Sequence, residues 1–429
     1  MTYIFAFVTA FGRCFVQQNN KTPDAIYFLS AILIFSLLIR LFIGIGYFNS
    51  YDTYWYRTWA VDLPNGLLNV YSRAESISLD YPPLYLFLLY PIGVVYKFIG
   101  TDSNEYIQMF LMKFWPIVFD VLCSALLYYT CRKYGEPWGL LAAVLWAANP
   151  STLFNSAMWG QTDSVMVFWL ILAFWILSLD RPMLACIIFA VAGLTKFQSL
   201  FFTPVFLLQL WKQTDFKRFI CGICSAVATV AAVFLPFMIS SKNIGLFFDV
   251  YLGSAGKYPY CTLNAYNFYG IFSLNWVSDS TPIIGGFTWA HLSYIFTIAS
   301  FILIAFLYLK GKNHCAWVGG LVFMECLFMF MSRMHERYQF IVLPFALMAF
   351  IVHQKREFLW IFLSLSLITA INQVVILFKI NDSATLINNI SDELMVIFSI
   401  INLAMFVWIA YTCIKFFMSK KLLEVNYDQ

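Results

Sequence analysis

Apolar runs of about twenty residues recur along this chain, and that length decides its class before any motif is read. They lie at roughly 25–47, 107–130, 137–150, 157–178, 182–195, 198–211, 217–240, 289–309, 315–331, 338–352, 357–379 and 393–416. A transmembrane β-barrel would need one-by-one alternation instead. Only 11% of the residues are charged and 62% are hydrophobic. A soluble domain carries about 25% charged residues, so a water-soluble enzyme is excluded, and so is a disordered chain. A net charge of +4, spread over short loops, offers no footprint for nucleic acid. The expected class is an all-α polytopic membrane protein of about twelve transmembrane helices. Several runs fall short of a simple span, so the pairs around 182–211 and 315–352 are expected to be broken or tilted. No Gly/Ser linker, low-complexity tract or clear repeat divides the chain, which reads as a single domain over residues 1–429.

The run 82–99 is ambiguous, and counting it as a span inverts everything after it. The positive-inside rule arbitrates. With a cytoplasmic N-terminus and 82–99 lying on or dipping into the outer leaflet, fifteen of the 26 Lys and Arg fall inside, ten fall outside, and Arg40 lies within the first span. Both termini are then cytoplasmic, and the large outer loops cover about 48–106 and 241–288. Residues 1–16 are apolar and aromatic but short, which suits an interfacial segment, and no cleavable signal pattern is present. Of the ten cysteines, Cys123, Cys186, Cys326 and Cys413 lie inside apolar runs. Cys221 and Cys224 form a CxxC without partners in an apolar stretch, so no disulfide framework emerges.

Polar and charged residues near bilayer depth are costly and mark function. In this topology six clusters converge on the outer face: YDTYWYRTW (51–59), LDYPPLY (79–85), WGQTDS (159–164), KFQS (196–199), YPYCTLNAYNFYG (258–270) and SRMHERYQF (332–340). Each also has a bland reading, as a helix cap or a headgroup-level aromatic belt. Asp52 is either the N-cap of an amphipathic helix or a general base among aromatic rings. Pro82 and Pro83 start a helix at about 84, with Asp80 as its cap or a site residue. Trp159 and Asp163 stand at i, i+4, one helical face. Gln161 and Asp163 can bind a polar ligand on which Trp159 stacks, or they can cap a helix. Arg333 and Arg337 share the same spacing and suit a phosphate, with His335 a third donor and Lys196 a further cation. Glu336 offers either arginine a structural ion pair instead. Asn264 and Asn267 are candidates in a loop that reads equally well as interfacial. The four histidines are scattered with no metal spacing. No cofactor is expected, and Asp52, Asp80 and Asp163 are the acids from which a metal site would be assembled.

One carboxylate, several cations and aromatic platforms at the membrane surface fit glycosyl transfer from a polyprenyl-phosphate sugar. The acceptor hydroxyl needs a base, and the leaving phosphate needs charge stabilisation more than an acid. These residues resemble the GT-C fold glycosyltransferases, multi-span enzymes that use lipid-phosphate-linked sugars on the non-cytoplasmic side. Their hallmark acid in the first outer loop corresponds to Asp52. YDTYWYRTWA resembles the D-Y-x-x-x-R-x-W segment of dolichyl-phosphate-glucose-dependent glucosyltransferases, with Asp52, Arg57 and Trp59 keeping the spacing. LDYPPLY resembles their D-Y-P-P-L segment, and His335–Arg337 their H-E-K. WGQTD stands where the eukaryotic enzymes carry a D-H-G-H-F-Q-Y-N-type segment, and the outer loops are shorter. Both departures favour a bacterial plasma-membrane enzyme.

The resemblance implies a GT-C fold with interfacial helices in the first outer loop. It also implies an inverting hexosyltransferase with its active site on the outer face, acting on a lipid-linked or cell-surface glycan acceptor. Asp52 is the expected base. Arg333, His335, Arg337 and Lys196 are expected to hold the donor phosphate. Arg57, Asp80, Tyr81, Trp159, Gln161, Asp163, Gln198, Asn264 and Asn267 are expected to position sugar or acceptor. Alternative readings are a transporter or flippase of lipid-linked sugars and a glycan polymerase or ligase of another fold. For a transporter, the charges deep in spans are few: Arg40, Asp120 and Glu325.

Overall fold

The computed structural model describes residues 22–46, 51–100, 105–382 and 393–420. The segment expected at the interface over 1–16, and the basic residues Arg13, Lys21 and Lys421 used in orienting the chain, lie outside the described residues. The described chain is an all-α polytopic assembly. Six of its helices are long and apolar enough to cross a membrane: Asp24–Gly46, Tyr106–Tyr134, Phe216–Ser241, Trp289–Lys310, Arg356–Lys379 and Glu393–Met418. Shorter apolar helices stand between them: Pro83–Ile99, Asp163–Ser178, Pro182–Thr195, Ala316–Phe330 and Tyr338–His353.

Local chemistry explains where the helices begin. Asp215 caps Phe216–Ser241 by accepting the Arg218 N–H at 2.9 Å. Thr288 and His291 form a reciprocal capping box at Trp289–Lys310, satisfying amides that have no partner within the helix. The tandem prolines start Pro83–Ile99 as expected. This helix packs along Tyr51–Asp62, and Gly93 marks the close approach. A Cβ there would stand 1.9 Å from the Ala60 carbonyl oxygen, so only glycine fits.

Two of the expected spans are interrupted. The run at 157–178 divides into a π-helical turn, Leu153–Trp159, a left-handed Gly160 (φ 77°) and a helix that begins only at Asp163. The run at 198–211 starts as the 3-10 helix Phe197–Phe202 and becomes α at Thr203–Gln213. Short strands also appear in an otherwise helical chain. Thr262–Leu263 pairs in parallel with Met334–His335, and Pro282–Ile284 pairs antiparallel with Phe287–Thr288. The first pairing ties the 258–276 loop to the 332–337 segment.

The main core is aromatic, with Phe202 stacked on Phe345 and Phe189 on Phe206, each at 4.3 Å between centroids. A second core, including Tyr56, Trp59, Leu63, Tyr85, Leu89 and Phe237, lies among the helices Tyr51–Asp62, Pro83–Ile99 and Phe216–Ser241. Within the helical layer Arg40 meets Asp120 at 2.8 Å, and both side chains are wholly buried. The pair is closed by neighbours. Arg40 donates to Ser36 Oγ (2.6 Å), the Ala147 carbonyl (3.0 Å) and Thr152 Oγ1 (2.8 Å). Asp120 accepts from Trp146 Nε1 (2.9 Å) and Ser156 Oγ (2.7 Å). Glu325 is likewise buried and takes two bonds from Gln339 Nε2, at 3.3 and 3.2 Å.

Breaking a buried pair by removing one partner strands a charge. Asp120→Ala is therefore expected to cost about 3–5 kcal/mol of stability, read as a large drop in the detergent melting temperature. A melt matching the parent protein would show that the pair is not structural.

Candidate active site

Asp52 sits in the first turn of the helix Tyr51–Asp62. One of its oxygens, Oδ2, accepts from Trp159 Nε1 (2.5 Å) and from Gln161 Nε2 (2.8 Å). Both donors come from the broken segment before Asp163, and the break is what makes this possible. The π-helical turn ends at Trp159, Gly160 reverses the backbone in a left-handed conformation, and Gln161 then reaches the same carboxylate. Gly160 also lies against Lys113 and Thr53, where a Cβ would sit 3.0 Å from Lys113 Cγ and 3.1 Å from Thr53 Cγ2.

A cavity of about 260 Å³ opens beside Asp52. Its walls carry Trp55, Tyr56, Trp59, Asp80, Tyr81, Trp159, Lys196, Gln198, Lys257, Tyr258, Asn264, Trp276, His335, Glu336, Arg337 and Tyr338. Carboxylates accompany its cations. Lys196 is ion-paired with the buried Asp163, whose other oxygen accepts from Asn155 Nδ2 at 3.0 Å. Arg337 donates to Glu336 at 2.5 Å. Lys257 meets Asp80 at 2.7 Å across the cavity mouth. Arg337 also lies over the Trp159 ring, 5.6 Å from its centroid.

Burial lowers the His335 imidazole below its usual value, against the pull of Glu336, so it is neutral at pH 7. Burial pushes the Glu336 carboxyl up, but Arg337 and His335 outweigh it and hold the group below the ordinary range. Burial works against the Arg337 charge, but the Glu336 and Asp52 carboxylates raise the guanidinium well above its usual value.

Of the residues singled out from sequence, Asp52, Asp80, Tyr81, Trp159, Lys196, Gln198, Asn264, His335 and Arg337 line this cavity. The others do not, and each has a structural reason. Arg333 and Arg337 do not share a helical face, because the segment between them is the strand Met334–His335. Arg333 adopts φ 66° and pairs with Asp279 at 2.8 Å, off the cavity wall. Trp159 and Asp163 do not share a face either, since Gly160 separates two helical pieces. Gln161 and Asp163 lie behind the wall, one bonded to Asp52 and the other to Lys196. Arg57 donates to Gln108 at 2.8 Å. Asn267 is a cap, accepting the Tyr269 N–H at 3.2 Å and donating to the Phe328 carbonyl at 3.3 Å. Asp52, Asp80 and Asp163 do not assemble as a metal-binding group among the described residues.

Sequence reasoning missed Trp55, Tyr56, Lys257, Tyr258, Trp276 and Tyr338 as wall residues. Trp55, Tyr56, Tyr258 and Tyr338 stand inside motifs already flagged. Lys257 and Asp80, which are 177 positions apart, gave no local signal of their pairing.

Fold and site together define a polytopic membrane protein with one cavity where a carboxylate, cations and aromatic rings meet. The model of Glycosyltransferase family 87 matches residues 79–332, more than half of the chain, and the chain belongs to that family. The family agrees with the glycosyltransferase resemblance read from the sequence. Asp52 and the His335–Arg337 segment lie outside the matched region. Among solved structures the chain is similar to the Archaeoglobus fulgidus oligosaccharyltransferase tethered with an acceptor peptide, at 14% identity and a TM-score of 0.36. That likeness covers 92% of this chain and 55% of the other, so the chain spans about half the length of that protein. No curated protein matches it.

Gly160 is the pivot that presents Trp159 and Gln161 to one carboxylate. Gly160→Ala would strain a left-handed residue and crowd Lys113 and Thr53, at a cost of roughly 1–3 kcal/mol. Thermal unfolding of the purified variant checks this, and an unchanged midpoint would contradict it.

Proposed function

We propose that this chain is an inverting hexosyltransferase of GT-C type. It takes the sugar from a polyprenyl-phosphate donor and transfers it to a lipid-linked or cell-surface glycan acceptor on the outer face of a bacterial plasma membrane. One observation carries the reading: Asp52 opens onto the same cavity as Arg337 and His335, in a membrane protein of a glycosyltransferase family. Asp52 removes the acceptor hydroxyl proton as that oxygen attacks the anomeric carbon. The bond from that carbon to the phosphate oxygen breaks, and the leaving phosphate carries the electron pair to Arg337, His335 and Lys196. Aromatic walls such as Trp55, Tyr258 and Trp276 suit stacking on sugar faces. The transporter alternative calls for charge along a two-sided path, and its best candidates, Arg40 and Asp120, are bonded to each other.

Asp52→Asn keeps the shape and removes the base. Turnover with a defined polyprenyl-phosphate hexose and the membrane's own acceptor is expected to fall about 10²–10⁴-fold, and near-parental turnover would dismiss Asp52 as the base. Binding of polyprenyl phosphate separates the two arginines. Arg337→Ala is expected to weaken it by about tenfold or more, as loss of a charge-assisted contact does, while Arg333→Ala leaves it unchanged. The reverse order would move the phosphate site to Arg333. Mass spectrometry of co-purified lipids would name the donor.

A further inference from the structure

Behind Asp52 the polar groups form a chain with a single direction. A carboxylate only accepts hydrogen bonds, so Gln161 must turn its amide nitrogen to Asp52 (2.8 Å) and its carbonyl to Tyr56 (3.1 Å). The Tyr56 hydroxyl must then donate to Gln161, which leaves its oxygen to accept from Tyr81 at 2.9 Å. With its own proton so placed, Tyr81 accepts from Thr162 Oγ1 at 3.2 Å. Every donor from Thr162 through Tyr81, Tyr56 and Gln161 points toward the carboxylate. Such aligned chains polarise one another. The Tyr81 backbone is also fixed, because its carbonyl accepts the Tyr71 hydroxyl at 2.7 Å.

We propose that Tyr56 is a positioning residue for the transfer reaction. It locks the Gln161 amide in the one orientation that holds Asp52 Oδ2, and so leaves Oδ1 to face the acceptor hydroxyl. The inference rests on Asp52 as the base, and it adds a group that acts on that base through Gln161. Burial holds the Tyr56 phenol well above its ordinary value, so it stays a donor across the working pH range. Other groups act on the same carboxylate. Arg337 and His335 do so from the 332–338 segment, and Trp159 does so through its indole. Among these, Tyr56 is the group that holds the Gln161 carbonyl, in the orientation the carboxylate demands.

The test needs no substrate. The infrared carboxylate band of the purified protein that vanishes in Asp52→Asn belongs to Asp52, whatever that residue's role, and its position at pH 7 is compared between variants. Tyr56→Phe keeps the ring and deletes the hydroxyl that fixes Gln161. Losing that bond frees the Gln161 amide to rotate and loosens its hold on Oδ2, so the Asp52 carboxylate band is expected to shift and broaden. Tyr85→Phe is the control. Its ring lies 5.8 Å from Tyr56 and 5.2 Å from Tyr81, but its hydroxyl is buried without a hydrogen-bond partner, so the band is expected not to move. An unmoved band in Tyr56→Phe, or an equal shift in both variants, overturns the proposal and leaves the assignment of Asp52 as base untouched. Parental turnover of Asp52→Asn would remove the base and leave the geometry of the chain standing.

Discussion

The geometry of the cavity depends on a buried ion pair that does not line it. Arg40 and Asp120 come from the first described helix and from Glu105–Cys131, and they meet with both side chains wholly buried. Two charges inside an apolar layer are tolerable only if their remaining donors and acceptors are also satisfied. Thr152 and Ser156 meet part of that demand; Thr152 immediately precedes the π-helical turn and Ser156 lies within it. The pair therefore anchors the segment that ends in Trp159, Gly160 and Gln161. From there the backbone leaves the helix and offers two donors to one oxygen of Asp52.

The same device recurs at the cavity in a wetter setting. Lys196, Arg337 and Lys257 each stand against a carboxylate: Asp163, Glu336 and Asp80. Asp52 is the wall carboxylate that makes no ion pair among the described residues, and neutral donors hold it instead. On the proposed reading of Asp52 as the base, that difference separates it from the acids that orient cations. A carboxylate locked to a cation is committed to that partner, whereas Asp52 has its position fixed through Oδ2 by an indole and an amide.

Much of this was legible in the chain. Class and helix placement follow from apolar runs, because a membrane leaves the backbone few other solutions. The tandem prolines announced the start of Pro83–Ile99. Of the scarce charged residues singled out, Asp52, His335, Arg337 and Lys196 share one cavity. The errors have one physical origin. The i, i+4 arguments for Trp159 with Asp163 and for Arg333 with Arg337 assumed helix across Gly160 and across Met334–His335. A left-handed glycine and a two-residue strand pairing with Thr262–Leu263 broke that assumption. Tertiary partners such as Asp279 for Arg333, Gln108 for Arg57 and Lys257 for Asp80 are distant in sequence, and spacing carries no trace of them.

Pre-paired cations also bear on how a phosphate would be held. An unpaired arginine among aromatic rings would be costly to bury and free to move. Glu336 lowers both costs for Arg337 and fixes its plane before any ligand arrives, which is the condition under which charge is most effective at a reacting centre. The ion pair does not exhaust the guanidinium. It reaches Glu336 through one terminal nitrogen, and Arg337 Nε is buried with no hydrogen-bond partner among the described residues. A neutral His335 beside it can donate one hydrogen bond without adding a second fixed charge. The arrangement thus favours an anion whose charge grows as a bond breaks over one that arrives fully charged. A sugar phosphodiester that becomes a phosphate monoester fits that demand.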